Sequence, residues 1–121
     1  MARILIVDDD ISIRILLRKL LEDDGHQIEE AVDGKQAVRC YWENPADLVI
    51  TDVLMPEKDG VELIRDLLRG FPDVRVVAMS GGGRWVSARR GLQLAGESGA
   101  AHLLEKPFTK KQILEIVHRF V

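Results

Sequence analysis

Five short apolar runs, each followed by a stretch of helical periodicity, constrain this chain more than any other feature. Residues 3–7, 26–32, 47–51, 74–79 and 101–104 carry the runs. The first is almost wholly apolar and β-branched, as expected of a strand buried on both faces. The second is more polar and suits the edge of a sheet. Between the runs, Ile13, Leu16, Leu17 and Leu20 recur at the spacing of one helix face. Ala37, Val38, Tyr41 and Trp42 form a second inward stripe, and Val61, Ile64, Leu67 and Leu68 a third. A fourth stripe, Trp85, Ala88, Leu92 and Ala95, is weakened by Gly91 and Gly96, each costing about 1 kcal/mol relative to alanine in a helix. Ile113, Ile116, Val117 and Phe120 form the fifth.

Punctuation falls between these segments: Asp24-Gly25, Asp33-Gly34, Asn44-Pro45, and Gly70 with Pro72 beyond it. Asp10 and Asp59 stand where helix N-caps belong. Strands and helices in strict alternation imply parallel strands joined by right-handed crossovers, hence a three-layer α/β sandwich. The expectation is five strands and five helices in one domain spanning residues 1–121.

Composition excludes several classes of function. With 46% hydrophobic and 31% charged residues the chain suits an ordinary globular domain, and its net charge of −3 gives no reason to expect direct nucleic-acid binding. No apolar stretch approaches the roughly 20 residues of a membrane span, so no membrane association is expected. The single cysteine, Cys40, sits in a helical pattern and is read as a reduced, structural thiol. The expected compartment is the cytoplasm.

The polar residues at the strand ends point to function. Asp8 and Asp9 end the first run, Asp52 the third and Ser80 the fourth, while Lys106-Pro107 comes after the fifth. In a parallel sheet all of them emerge at the carboxyl edge, where such folds bind ligands. Three carboxylates facing one ammonium group need a cation or an added anion to balance them. Magnesium takes hard oxygen ligands, and Asp9, Asp52, a main-chain carbonyl after Asp52 (that of Leu54) and Asp8 acting through water would supply them. Manganese is an acceptable substitute. An ionised Asp52 would then attack a phosphoryl donor, giving an aspartyl phosphate. Lys106 would neutralise one phosphoryl oxygen, and Ser80 would donate to another.

Asp8-Asp9 after Ile-Val, Thr-Asp52-Val-Leu-Met-Pro56 with Asp59-Gly60, Ser80, Gly99-Ala100 and Lys106-Pro107-Phe108 together resemble the receiver domain of two-component response regulators. Among these the single-domain, chemotaxis-regulator type is the nearest in form. The resemblance spans essentially the whole chain. It implies a flavodoxin-like fold with strand order 2-1-3-4-5. It also implies Asp52 as phosphoacceptor, Asp8 and Asp9 as magnesium-binding acids, Ser80 as switch hydroxyl and Lys106 as the phosphoryl-contacting lysine. A cis peptide is implied between Lys106 and Pro107. The phosphoryl donor would be a histidine kinase or a histidine phosphotransfer protein, with a further protein receiving the signal. A monomer or weak dimer is the expected state, and the chain is expected to be a regulator rather than an enzyme.

Three departures from the family pattern stand out. Leu103 occupies a position usually held by tyrosine or phenylalanine, so a signal from Ser80 has no aromatic side chain to follow there. Ser80 is followed by Gly81, Gly82 and Gly83. These form either a plain flexible loop or a main-chain cradle in which Gly81 and Gly82 approach phosphoryl oxygens. Leu54 and Gly82 replace residues that are often polar, so no special acceleration of aspartyl-phosphate hydrolysis is expected. Two other readings use the same residues. One is a receiver-like binding module that is never phosphorylated. The other is a haloacid dehalogenase-type phosphatase with Asp8 as nucleophile, which would lack that family's further acidic pair and leave Asp52 idle.

Overall fold

The computed structural model describes residues 2–53, 60–80 and 99–121. Within them run β1 (Arg3–Val7), α1 (Ile11–Asp23), β2 (Gln27–Ala31), α2 (Gly34–Glu43), β3 (Leu48–Asp52), α3 (Gly60–Gly70), β4 (Val76–Ser80), β5 (His102–Glu105) and α4 (Lys110–Phe120). The five strands form one sheet in the order β2-β1-β3-β4-β5, and every neighbouring pair is parallel. The flavodoxin-like order and the edge position of the polar second strand are as expected.

Alternation along the central strands explains the layers. Ile4, Ile6, Leu48, Ile50, Val77 and Met79 face Leu17 and Leu21 of α1 and Ile113, Ile116 and Val117 of α4. Their neighbours Leu5, Val7, Val49, Val76 and Ala78 face Ala37 and Tyr41 of α2 and Leu63, Ile64 and Leu67 of α3. Each face of the sheet is therefore sealed by two of the described helices, and the strands need apolar residues at every position.

The helix ends are fixed by short polar bonds. Asp10 caps α1 by accepting from the Ser12 N–H at 2.8 Å. Asp33 caps α2 by accepting from Gln36 at 2.7 Å, and the Gln36 side chain accepts in return from Val32 at 2.8 Å. Thr109 and Gln112 form a reciprocal capping box on α4. Gly25, at φ +94°, turns the chain out of α1.

Several inward assignments shift by one or two positions. Leu16 is 44% exposed while Leu21 is fully buried, so the α1 stripe is centred on Leu17 and Leu21. Trp42 is 63% exposed and packs its ring edge-on against Phe71 at 4.9 Å, on the rim instead of in the core. Leu63 replaces Val61 as a central residue of α3. Four helices are present among the described residues. The expected helix through Trp85 to Ala95 and the expected cap at Asp59 lie outside them.

Candidate functional site

The carboxyl edge of the sheet is assembled by register. β1 and β3 are neighbours with Val7 opposite Thr51, so Asp8 and Asp52 leave adjacent strands at the same level. β4 follows with Met79 opposite Asp52, and β5 places Glu105 opposite Ser80. Lys106, the next residue, donates its main-chain N–H to the Ser80 carbonyl at 2.8 Å. The Lys106-Pro107 peptide is cis, as the family resemblance implied.

Asp8 has no exposed surface. Its Oδ1 accepts from the Asp10 N–H at 2.9 Å, and its Oδ2 accepts from Lys106 Nζ at 3.0 Å. The same ammonium lies 3.6 Å from Asp52 Oδ2. Asp52, 8% exposed, also accepts at Oδ1 from the Val53 N–H at 2.9 Å. Asp9 is exposed. Carboxylate oxygens of Asp8, Asp9 and Asp52 all lie within 4.8 Å of one another.

One ammonium group cannot balance three carboxylates so close together. The Asp52 carboxyl is pushed up to about 6, chiefly by burial, with Lys106 pulling it down and Asp8 pushing it further up. Asp9 is also raised, by burial first and then by the Asp8 charge. An all-oxygen donor set, crowded enough that Asp52 resists ionisation, fits a hard divalent cation such as magnesium. The residues present therefore suit the metal expected from the sequence.

The backbone beneath Asp52 is tightly built. The buried Thr51 hydroxyl donates to the Asp52 carbonyl at 2.9 Å. Gly60 donates its N–H to the Val53 carbonyl at 2.8 Å. A Cβ on Gly60 would stand 2.3 Å from the Asp52 carbonyl oxygen and 2.7 Å from Val53 Cα, so only glycine fits.

Asp8, Asp9, Asp52 and Lys106 are thus brought together. Ser80 ends β4, next to Asp52 on β3, and is buried at 1% exposure. Leu103 is 38% exposed on β5, opposite Ala78. Leu54, Gly81 and Gly82 lie outside the described residues. Sequence reasoning missed Arg14, whose guanidinium donates to the main-chain carbonyl of Asp8 at 2.7 Å. The signal for it was weak, because an arginine in the first turns of a helix reads as a solvated face.

A second group of metal-ligating types, Asp24, His26 and His118, gathers at the opposite edge. Asp24 Oδ2 lies 2.9 Å from His26 Nε2 and 2.7 Å from His118 Nε2. His26 Nδ1 accepts from the Ala2 N–H at 3.1 Å, so the ring carries its proton on Nε2 and donates it to Asp24. That nitrogen has no lone pair for a metal, and the group acts as a clasp joining α1, β2 and α4. A groove of about 700 Å³ also opens at this edge and includes none of the acids of the site.

Comparison with known proteins agrees with the geometry. Residues 4–118 match the family model described as the response regulator receiver domain. The chain is 36% identical to Protein CcdB of Bacillus subtilis over 120 residues, covering 98% of this chain and 97% of that one. It is 35% identical over 118 residues to the DNA-binding transcriptional regulator NtrC of Azospirillum brasilense, covering 98% of this chain but only 24% of that protein. The chain thus spans about a quarter of one such relative and nearly the whole of another. Among solved structures, the chemotaxis response regulator CheY4 of Vibrio cholerae superimposes with a TM-score of 0.87 at 28% identity, covering 100% of this chain and 99% of that one. With sheet order, acidic edge and family match in agreement, the chain belongs to the response regulator receiver domain family.

Proposed function

We propose that Asp52 accepts a phosphoryl group from a phosphohistidine on a histidine kinase or histidine phosphotransfer protein. The resulting aspartyl phosphate would pass a signal to a second protein in the cytoplasm. The observation that carries this reading is the convergence of Asp8, Asp9 and Asp52 within 4.8 Å, with Lys106 Nζ at 3.0 and 3.6 Å from two of them.

An ionised Asp52 oxygen attacks phosphorus while the phosphorus–nitrogen bond of the donor breaks, its electron pair returning to the imidazole, which takes up a proton from solvent. Asp52 needs no separate base, because a carboxylate is already an oxyanion nucleophile. Its Oδ1 is pinned by the Val53 N–H, and its Oδ2 faces Lys106. Lys106 is placed to shift from the carboxylates toward the charge that arrives on the phosphoryl oxygens. Ser80, on the neighbouring strand, is assigned the donor to another of them. Asp8, Asp9 and Asp52 would hold magnesium, which supplies the positive charge that keeps Asp52 ionised and offsets the approach of an anion.

The phosphatase alternative fits less well. Asp8 is wholly buried and both of its carboxylate oxygens already accept hydrogen bonds, a poor state for a nucleophile. The test is incubation of the chain, Asp8→Asn and Asp52→Asn with magnesium and acetyl phosphate, followed by intact mass measurement. A stable adduct on the wild type that disappears in Asp52→Asn supports the proposal. Turnover lost chiefly in Asp8→Asn would favour a phosphatase, and a wild type without any adduct would leave only a binding module.

A further inference from the structure

The side chain of Arg14 turns back toward the start of α1 and keeps only 12% of its surface exposed. Its Nε donates to Glu30 Oε1 at 3.1 Å, and a terminal nitrogen donates to the Asp8 carbonyl at 2.7 Å. That carbonyl and the Asp9 N–H share one planar peptide, so gripping the carbonyl fixes the direction in which Asp9 leaves the strand. On its other side, Asp8 is held by its own N–H, which donates to the Ala31 carbonyl at 3.2 Å. Glu30 sits on β2 opposite Ile6 and also accepts from Arg18, which pairs in turn with Glu22 at 3.3 Å. Two arginines and two glutamates carry no net charge, so Arg14 braces the turn with little added repulsion toward a cation.

We infer that Arg14 is a positioning residue for magnesium binding: its guanidinium holds the Asp8–Asp9 peptide so that both carboxylates stand ready before the cation arrives. The inference rests on the reading of these acids as magnesium ligands. The planar fork is what serves here, because it donates in two fixed directions at once, to a side chain on β2 and to the main chain after β1. A lysine has one rotating head and cannot reproduce that.

The test is calorimetric titration of magnesium into the full chain and its Arg14→Gln, Arg14→Lys and Arg18→Gln variants, with thermal melts alongside. Loss of a group orienting metal ligands typically weakens metal affinity by about tenfold or more, and Arg14→Gln is expected to do so. Arg14→Lys should also weaken binding, and it carries the comparison should Arg14→Gln fail to fold. Arg18→Gln breaks ion pairs to the same Glu30 but touches nothing on Asp8, so its magnesium affinity should stay within about twofold of wild type. With acetyl phosphate as donor, Arg14→Gln should need more magnesium for half-maximal phosphorylation yet approach the wild-type rate at saturation. Wild-type magnesium affinity in a folded Arg14→Gln, or an equal loss in Arg18→Gln, would overturn the inference. A wild type that binds magnesium but forms no adduct would instead defeat the phosphoacceptor reading and leave the Arg14 result standing.

Discussion

Replacing Asp52 with asparagine should stabilise the fold in metal-free buffer while removing the proposed phosphoacceptor. Asp52 is 8% exposed, and its carboxyl is pushed from 3.8 up to about 6 despite Lys106 at 3.6 Å. At pH 8 the folded protein therefore carries an ionised group that the unfolded chain solvates better. A displacement of about two pH units corresponds to about 3 kcal/mol. Asparagine has the same shape and retains an oxygen for the Val53 N–H, but it carries no charge. The expected gain at pH 8 is about 2 to 3 kcal/mol, read as a higher urea midpoint at unchanged slope.

The pH dependence fixes the cause. A raised carboxyl favours the folded state when protonated, so the wild type should recover stability as pH falls through 6. The two proteins should converge near pH 4, close to the unfolded value of 3.8. Magnesium should narrow the gap from the other side, since a ligand at ten times its dissociation constant stabilises by about 1.4 kcal/mol, and only the wild type keeps three carboxylates. If Asp52→Asn is no more stable than wild type at pH 8 in the presence of a chelator, burial and like-charge crowding impose no cost here, and the electrostatic case for a cation is refuted.

The same geometry sets three further outcomes. Lys106→Met removes the ammonium from the wholly buried Asp8 and from Asp52; without metal at pH 8 it should lower stability by about 3 kcal/mol in urea titration, and it should slow adduct formation from acetyl phosphate. Gly60→Ala drives a Cβ to 2.3 Å from the Asp52 carbonyl oxygen, so calorimetric melting should show a loss of about 3 kcal/mol, at the upper end of overpacking costs. The Asp24 carboxyl is held below its ordinary range by hydrogen bonding from His118 first, with His26 adding to it. A depressed acid stabilises above its unfolded pKa, so the urea midpoint of wild type should exceed that of Asp24→Asn at pH 6, and the gap should close as pH falls below 3.8.

Much of the fold was legible because each central strand must be apolar on both faces, and few sequences look that way by accident. Residues 3–7 and 47–51 carry that signature, and both strands are buried in the centre of the sheet. The acids were legible for a related reason. A strand that must be apolar ends sharply when a charge appears, so Asp8 and Asp52 mark both the strand ends and the functional edge. Helix faces were read less well, because adjacent apolar residues lie about 100° apart and pattern alone cannot choose between them. Leu16 and Trp42 belong to apolar stripes, yet in each helix it is the adjacent residue, Leu17 or Tyr41, that is buried.

The division of labour among the acids was legible only in part. The sequence set Asp8 apart from Asp9 as an acid acting through water, but not as the buried partner of Lys106, because strand alternation carries on one residue past β1. The Asp8 N–H still bonds to Ala31 as part of the ladder, which turns its side chain inward to Asp10 and Lys106 and leaves Asp9 exposed. Lys106 lies closer to Asp8, at 3.0 Å, than to Asp52, at 3.6 Å. Without a phosphoryl group, then, the lysine chiefly neutralises the acid with no solvent to help it. Added phosphoryl charge on Asp52 would compete for that ammonium, and freeing it from Asp8 returns an unbalanced buried carboxylate to the site. A divalent cation and Lys106 are thus coupled through Asp8. Magnesium should bind more tightly to the phosphorylated chain than to the free one, a difference that a beryllofluoride complex, titrated with magnesium, would measure. Equal affinities would mean that Lys106 never leaves Asp8.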